Sequence, residues 1–346
     1  MLITSSWIQG MRARRTAQRS SFVLQLPDLV MRRLLIDTDC GTDDACAILL
    51  AVRVAQKDPD IRIEAITTCS GNIELAKVRP NVLRVLKLCD ATDIPVFEGV
   101  GRPLVEPLKD ASQYHCDDGF GGVSGDYPAP EIPCPAEHAV NAMIRLARKL
   151  RQELIVVSLG PLTNVALAQK LDPEFLSNLK ELVVMGGSSI GSGNDTPGAE
   201  FNFSWDPEAV AIVVNEIEKA DKLTIVTMEA CRNYPLDWRW FDSLDESNKY
   251  IEFLKKIMGS AAKRWRAEGH LGLYVYDLTA MAVYLDPAIA TKALTCPIYA
   301  ELRGQWSRGA IVLDRRIPHR WNREANARIV SDIDTDLLKL MYNRML

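Results

Sequence analysis

Short apolar runs alternate with longer stretches of helical periodicity along most of the chain. The apolar runs are continuous and rich in β-branched residues, which is typical of strands that are covered on both faces. Five such runs are predicted to be strands: 32–37, 61–68, 154–159, 182–187 and 223–228. Five periodic stretches are predicted to be helices: 43–57, 73–89, 137–151, 162–170 and 206–219. This order predicts parallel strands joined by crossover helices, in an open, mostly parallel α/β sheet that is Rossmann-like.

The last third of the chain departs from this alternation. Residues 245–268 are predicted to form one long amphipathic helix, and a shorter helix is expected near 277–285. We see no internal repeat and no low-complexity linker in the sequence. Residues 31–346 are therefore predicted to form a single domain with additional C-terminal helices.

The first 30 residues differ from the rest in composition. Four arginines fall within residues 12–19, and no acidic residue precedes Asp28. This composition suits an organelle transit peptide. The other interpretation is a disordered extension or an incorrect start, with Met31 as the first residue of the working protein. We expect a cytoplasmic protein, with organellar targeting by residues 1–30 left open.

The composition excludes several classes of protein. The 346 residues are 47% hydrophobic and 25% charged, with a formal net charge of −4. This balance provides no basic face for nucleic acid, and no apolar stretch approaches the roughly 20 residues needed to span a bilayer. The eight cysteines include no C-x-x-C pair and are predicted to be mostly small buried residues in a reducing compartment.

An acidic loop carries the first chemical signal, in the run LLIDTDCGTDDACAILL at 34–50. Asp37, Asp39, Asp43 and Asp44 would repel one another unless something compensates their charge. A hard divalent cation would do so, and either Ca²⁺ or Mg²⁺ accepts carboxylate oxygens. The alternative is a favourable interaction with a helix dipole, which would account for Asp43 and Asp44 but not for the other two.

Further polar segments follow other predicted strands. These are SGN (70–72), GPLTN (160–164) and GGSSIGSGNDTPGAEFNFSWDP (186–207). Ligands of open α/β sheets bind beyond the carboxyl ends of the strands, so we expect these segments to meet. The glycine-rich segments match neither GxGxxG nor GxxxxGK[ST], and Asp195 and Glu200 would repel an anion. A neutral, hydroxyl-rich ligand is therefore favoured.

The run DTDCGTDDA (37–45) resembles the D-x-D-P-G-x-D-D-A signature of the nucleoside hydrolases, the family that includes inosine–uridine-preferring enzymes. Further segments are similar to that family in the same order: SGN, HCDDGFGG (115–122), GPLTN, MGG (185–187), NDTPGAEFNF (194–203) and YD (276–277). The resemblance covers the chain from about 32 to 340. It implies the nucleoside hydrolase fold and hydrolysis of the N-glycosidic bond of ribonucleosides with Ca²⁺.

The resemblance also implies roles for particular residues. Asp39, Asp44 and Asp277 would be calcium ligands together with the carbonyl of Leu159, and Asp39 would be the general base. Asp37 would support this set. The positions implied to contact the ribose are Asp43, Asn72, Met185, Asn194, Glu200 and Asn202. A homodimer or homotetramer is implied as well.

Each of these residues also has a structural interpretation. Asn72 follows a glycine and fits a turn. Met185 fits an ordinary core position, and Asp277 fits the first turn of a helix.

One position departs from the family pattern. Many members have His before the late calcium-binding Asp, where this chain has Tyr276. A tyrosine of ordinary pKa near 10 is a poor acid at neutral pH, but it can stack on a base, which favours purine nucleosides. Tyr274 and Trp265 would extend that stack or simply pack in the core. His115, in a glycine-rich segment suited to a mobile lid, is then the remaining candidate proton donor.

Two other functions are carried as alternatives. The run LLIDTDCGT would offer Asp37 as the nucleophile of a haloacid-dehalogenase-like phosphatase, but Gly41 stands where that family has Thr or Val. The second alternative is a ribonucleoside-binding or sensor protein that has lost turnover through the change at Tyr276.

Overall fold

A central sheet organises the chain in a computed structural model that describes residues 31–108, 112–316 and 323–345. The strands of the described residues are β1 (Arg32–Thr38), β2 (Ile61–Thr68), β3 (Val96–Glu98), β4 (Leu154–Ser158), β5 (Glu181–Met185), β6 (Leu223–Val226), β7 (Leu236–Asp237), β8 (Gly272–Leu273), β9 (Ala290–Cys296), β10 (Ile298–Ala300), β11 (Ile311–Leu313) and β12 (Ala327–Ile333). Residues 1–30, for which we expect a targeting or disordered segment, lie outside the described residues.

Helices occupy most of the connections between the strands. They are α1 (Thr42–Lys57), α2 (Leu75–Leu88), α3 (Ser112–His115), α4 (Ala139–Lys149), α5 (Thr163–Leu171), α6 (Phe175–Asn178), α7 (Phe201–Trp205), α8 (Pro207–Glu216), α9 (Met228–Arg232), α10 (Trp238–Ser243), α11 (Lys249–Ile257), α12 (Gly259–Ala267), α13 (Tyr276–Leu285) and α14 (Thr335–Met345). Short 3-10 turns cover Ser124–Asp126, Ala220–Lys222 and Pro287–Ile289. The five helices predicted between the strands are confirmed. Their observed ends differ from the predicted ends by up to three residues.

The strands of the main sheet follow the order β3-β2-β1-β4-β5-β6-β12-β9. All neighbouring pairs are parallel except β12 and β9, so the prediction of an open, mostly parallel sheet is confirmed. The chain reverses its direction of winding between β1 and β4, where Asp37 pairs with Ser158. A crevice forms at such a reversal, beyond the carboxyl ends of the two strands.

Apolar side chains pack on both faces of this sheet. Along β1, Leu34 and Ile36 join the cluster formed with α1, α2, α13 and α14, whereas Leu35 joins the opposite cluster with α4, α5 and α8. Alternate side chains of a strand point to opposite faces, and both faces here are covered by helices. Because both faces are covered, the strands appear in the sequence as continuous apolar runs.

The structure corrects the prediction for the helical region. Residues 245–268 form two helices, α11 and α12, which meet at Met258 and Gly259 instead of forming one long helix. Asn248 caps the start of α11 by accepting a hydrogen bond from the backbone of Tyr250 at 2.9 Å. Glycine is a poor helix former, which is consistent with the interruption at Gly259.

Three strands of the main sheet, β3, β9 and β12, were not among the predicted elements. All eight thiols are free, and six of the cysteines are buried. Within the described ranges, no helix combines the length and apolarity required to cross a membrane.

Candidate active site

Asp39 lies at the carboxyl end of β1, closely packed between two loops. Its side chain is fully buried, and its Oδ2 accepts a hydrogen bond from the backbone N–H of Asn72 at 2.7 Å. A Cβ atom added to Gly71 would lie 2.1 Å from Oδ2, and one added to Gly160 would lie 2.6 Å from Oδ1. Any side chain at these two positions would collide with the carboxylate, so only glycine permits it to pack closely between the loops. Its Oδ1 is buried and has no hydrogen-bond partner among the described residues.

Asp44, in the first turn of α1, is oriented by three donors. Its Oδ1 accepts from the hydroxyl of Thr38 at 2.5 Å. Its Oδ2 accepts from the backbone N–H of Gly41 at 3.0 Å and from Nδ2 of Asn72 at 2.9 Å. The side chain thus connects the end of β1, the start of α1 and the loop after β2, and it cannot turn away without breaking these bonds.

An acidic cluster forms where the first turns of α1 and α13 meet. Asp43, Asp44 and Asp277 each offer a carboxylate oxygen, and these oxygens lie within 4.8 Å of one another. Burial raises the pKa of Asp277 well above its usual value, and the negative charges of Asp43 and Asp44 raise it further. Burial and the charge of Asp44 raise the pKa of Asp39 in the same way.

This cluster can hold a metal ion. Besides Oδ1 of Asp39, Oδ1 of Asp43 is buried without a hydrogen-bond partner in the described part of the chain. Orphaned buried oxygens are costly, and a hard cation would satisfy them and favour the ionised carboxylates. The geometry also brings Asp43, which the resemblance assigned to the ribose, into the same group as two of the expected calcium ligands.

Asp37, near the end of β1, links the acidic loop to the neighbouring strand β2 and to helix α5. Its Oδ1 accepts hydrogen bonds from the hydroxyl of Thr67 at 2.7 Å and from Nδ2 of Asn164 at 2.9 Å. Burial raises the pKa of Asp37 to about 7. Asn164 also donates to the carbonyl of Thr68 and accepts from the backbone of Val100. Asn164 therefore joins Asp37 to two neighbouring loops. No role for Asn164 was predicted from the sequence, although it is the last residue of the GPLTN segment.

The opposite wall of the crevice is formed around α7. Glu200 is buried and caps this helix. Its carboxylate accepts hydrogen bonds from the backbone N–H groups of Gly187, Asn202 and Phe203. Burial raises the pKa of Glu200 to about 7.

The amide of Asn202 donates to the carbonyls of Leu159 at 2.8 Å and Met185 at 3.2 Å. Three predicted positions, Leu159, Met185 and Asn202, are therefore in direct contact.

The loop between β5 and α7 is held by a residue that the sequence did not single out. Glu229 of α9 accepts hydrogen bonds from the hydroxyl of Ser188 at 2.6 Å and from the backbone of Ser189 at 2.8 Å. Asn194, in the same loop, is exposed and accepts from the backbone of Phe201 at 2.8 Å. A lone glutamate in a short helix carries no recognisable signal in the sequence.

His115 reaches the start of α1 from a distant segment. The backbone N–H of Thr42 donates to its Nδ1 at 3.2 Å, and Nδ1 lies 4.0 Å from Oδ1 of Asp43. A Cβ atom on Gly41 would lie 2.7 Å from the same nitrogen, so the glycine permits this approach. Because Nδ1 accepts, the neutral ring carries its proton on Nε2.

Tyr276 begins α13, directly before Asp277. Burial raises its pKa, so the phenol stays protonated at neutral pH. Its ring stacks on that of Tyr274 with centroids 6.2 Å apart, and Tyr274 in turn meets the edge of Trp265 at 5.2 Å. The aromatic residues named from the sequence therefore form one connected group.

These features place carboxylates, amides and aromatic rings around one crevice at the strand ends. A model of the family described as inosine-uridine preferring nucleoside hydrolase matches residues 34–339. The chain belongs to the nucleoside hydrolase family. It is therefore an N-ribosyl hydrolase, as predicted, and its sheet is the nucleoside hydrolase fold. The phosphatase alternative is not supported by this match.

Individual nucleoside hydrolases agree with the family assignment. The chain is 32% identical over 305 residues to the non-specific ribonucleoside hydrolase RihC of Salmonella enteritidis PT4, and 32% identical over 303 residues to RihC of Klebsiella pneumoniae. Both alignments cover 88% of this chain and 94% of the relative.

Solved nucleoside hydrolase structures superpose closely on this one. The plant nucleoside hydrolase PpNRh1 gives a TM-score of 0.81 at 25% identity, covering 91% of this chain and 99% of that protein. The inosine-guanosine nucleoside hydrolase gives 0.79 at 29% identity, covering 91% and 98%.

Proposed function

We propose that this protein hydrolyses ribonucleosides to ribose and free base in a Ca²⁺-dependent reaction, with a preference for purine nucleosides. The observation that carries the proposal is the pair of buried, unpartnered oxygens, Oδ1 of Asp39 and Oδ1 of Asp43, beside the acidic cluster. Asp39, Asp44 and Asp277, with the carbonyl of Leu159, would hold the ion. Mixed carboxylate and carbonyl oxygens suit Ca²⁺, which accepts six to eight oxygen ligands in flexible geometry.

Bound Ca²⁺ would supply Lewis acidity toward ribose hydroxyls and acidify a nearby water. Asp39 is suited to remove the proton from the attacking water. Its Oδ2 is oriented by the N–H of Asn72, so the unpartnered Oδ1 is free to face the proposed ion and the water beside it. Because Gly71 and Gly160 carry no Cβ, the carboxylate of Asp39 can pack closely between their loops. A positioned base contributes about 10²–10⁴-fold to such a reaction.

The ribose would lie between the carboxylates and the amide side chains. Nδ2 of Asn72 donates to Asp44, and Nδ2 of Asn202 donates to Leu159, so each amide presents its Oδ1 as an acceptor for a hydroxyl. The remaining proposed contacts are Asp43, Met185, Asn194 and Glu200. Cleavage of the glycosidic bond develops positive charge on the sugar, which these oxygens would stabilise.

The leaving base would be met by His115 and Tyr276. Because Nδ1 of His115 accepts from the backbone N–H of Thr42, its Nε2–H is the atom suited to donate a hydrogen bond to the leaving base. Tyr276 keeps its proton and would stack on the base, with Tyr274 behind it. A broad aromatic face favours purines, and this supports the proposed preference.

One experiment tests the function and the preference separately. The purified protein is incubated with inosine, adenosine, guanosine, uridine and cytidine, with and without a chelator, and free base is followed by chromatography. We expect base release that stops with the chelator and is faster for the purine nucleosides. Uridine cleaved as fast as inosine would contradict the preference alone. Tight nucleoside binding without base release would favour the ribonucleoside-binding alternative.

Two further points are proposed, the first from the family resemblance and the second from the cysteine content. We propose a homodimer or homotetramer. A monomer in sedimentation equilibrium would contradict this proposal. We also propose a cytoplasmic location, which imaging of the full-length chain would test against organellar targeting by residues 1–30.

A further inference from the structure

Helix α12 contacts the segment that carries His115. The guanidinium of Arg264 lies 4.4 Å from the ring centroid of Tyr114, the residue before His115. The thiol of Cys116 donates to the hydroxyl of Ser260, also on α12, at 3.4 Å. The position of His115 is therefore tied to this helix on both sides.

An ionic network continues from Arg264 toward the end of the helix. Nε of Arg264 donates to Oε1 of Glu268 at 3.0 Å, and Nε2 of His270 lies 3.2 Å from Oε2 of the same carboxylate. The bond from Arg264 lowers the pKa of Glu268, which therefore stays ionised. Each oxygen of this one carboxylate thus holds a different partner.

The network ends at the aromatic group beside the acidic cluster. An ionised carboxylate only accepts, so Nε2 of His270 donates to Glu268, and Nδ1 of the neutral ring accepts from the hydroxyl of Tyr274 at 3.1 Å. The ring of Tyr274 is also met by the edges of His270 at 5.3 Å and Trp265 at 5.2 Å. Tyr274 is thereby fixed, and its other neighbour is the ring of Tyr276.

We propose that Glu268 is a positioning residue that couples His115 to Tyr276 through Arg264 and His270, and so sets nucleobase selectivity. This inference rests on the proposed function, because it assumes that both residues meet the leaving base. Glu268 acts only through its neighbours, since its partners are Arg264 and His270. It deepens the proposal by assigning selectivity to a helix outside the acidic cluster.

The test compares Glu268→Gln with a matched control, Glu252→Gln. Glu252 forms an i,i+4 pair with Lys256 on α11 at 2.9 Å, so the control removes an equivalent exposed ion pair. Exposed ion pairs stabilise a structure only weakly, so we expect about threefold faster amide exchange in residues 114–118 of Glu268→Gln. The ratio of kcat/KM for inosine over uridine should fall by about threefold. Neither value should change in Glu252→Gln.

A second comparison isolates the route through Tyr276. In a Tyr276→Ala background, Glu268→Gln should no longer change the inosine-to-uridine ratio. The inference is overturned if exchange at 114–118 matches the control, if the ratio is unchanged, or if the full change persists without Tyr276. Amide exchange requires no turnover. If the parent protein hydrolyses no nucleoside, the proposed function is contradicted, and the effect of Glu268 on the segment around His115 can still be measured.

Discussion

The two sides of the crevice are built in different ways. The acidic side consists of strand ends, the first turn of α1 and Asp277 of α13. Its carboxylate at Asp39 packs closely against two glycines and accepts a hydrogen bond from a backbone N–H. The side that would meet the nucleobase consists of α3, α12 and the start of α13, held by ring contacts and exposed ion pairs. The first side is rigid because many buried contacts determine it. The second is held by interactions that are individually weak.

This difference suggests a division of labour. Chemistry that requires a fixed base and a fixed cation is assigned to the side where a small displacement would be costly. Selectivity among bases is assigned to the side whose parts can adjust. Substitutions on the acidic side should therefore change turnover, and those on the other side should change the ratio between substrates.

The largest expected effect is that of Asp39→Asn. The amide cannot act as a base at neutral pH, so kcat for inosine should fall by about 10²–10⁴-fold. Steady-state kinetics measures this, with Asp93→Asn, an exposed carboxylate, as the control. Full turnover by Asp39→Asn would remove Asp39 from the role of general base.

The second prediction concerns the confinement of that carboxylate. In Gly71→Ala the new Cβ would lie 2.1 Å from Oδ2 of Asp39, so the base must shift, and kcat should fall by about 100-fold. Gly125→Ala is the matched control, because nothing lies within 4 Å of its added Cβ. Equal kcat values for the two alanine variants would show that the position of Asp39 is less critical than its surroundings indicate.

The smallest effect is expected on the side of the base. Tyr276→Ala removes the stacking ring, and kcat/KM for inosine should fall by about tenfold while that for uridine changes little. Tyr276→Phe keeps the ring and should keep the selectivity. If both variants lost activity equally on all nucleosides, the hydroxyl of Tyr276 would serve turnover in general and the contrast between the two sides would fail.

The acidic side could be predicted from the sequence because its signals are local. Asp37 to Asp44 lie at the end of one strand and just beyond it, and parallel strands bring their carboxyl ends to one edge whatever the details of packing. The contacts of Asn164 and Glu229 could not be predicted, since each depends on which distant loop packs against it. Glu229 has no local pattern to distinguish it from an ordinary helix residue, and the GPLTN segment of Asn164 does not show which loops that side chain contacts.

The limits of the fold prediction have similar causes. Strand β9 is exposed over Thr291–Thr295, so it lacks the apolar run by which the buried strands were recognised. The pairing of Arg264 with Tyr114 joins residues about 150 positions apart through an exposed surface. Sequence periodicity reports burial, and neither of these features is buried.

The central claim is that a hard cation sits among the carboxylates of the acidic side. The most direct measurement is calorimetric titration of Ca²⁺ into the chelator-treated protein and into its Asp277→Asn variant. We predict a single ion per chain for the parent protein and no measurable binding for the variant. No heat of binding with the folded parent, or unchanged binding by Asp277→Asn, would contradict the account.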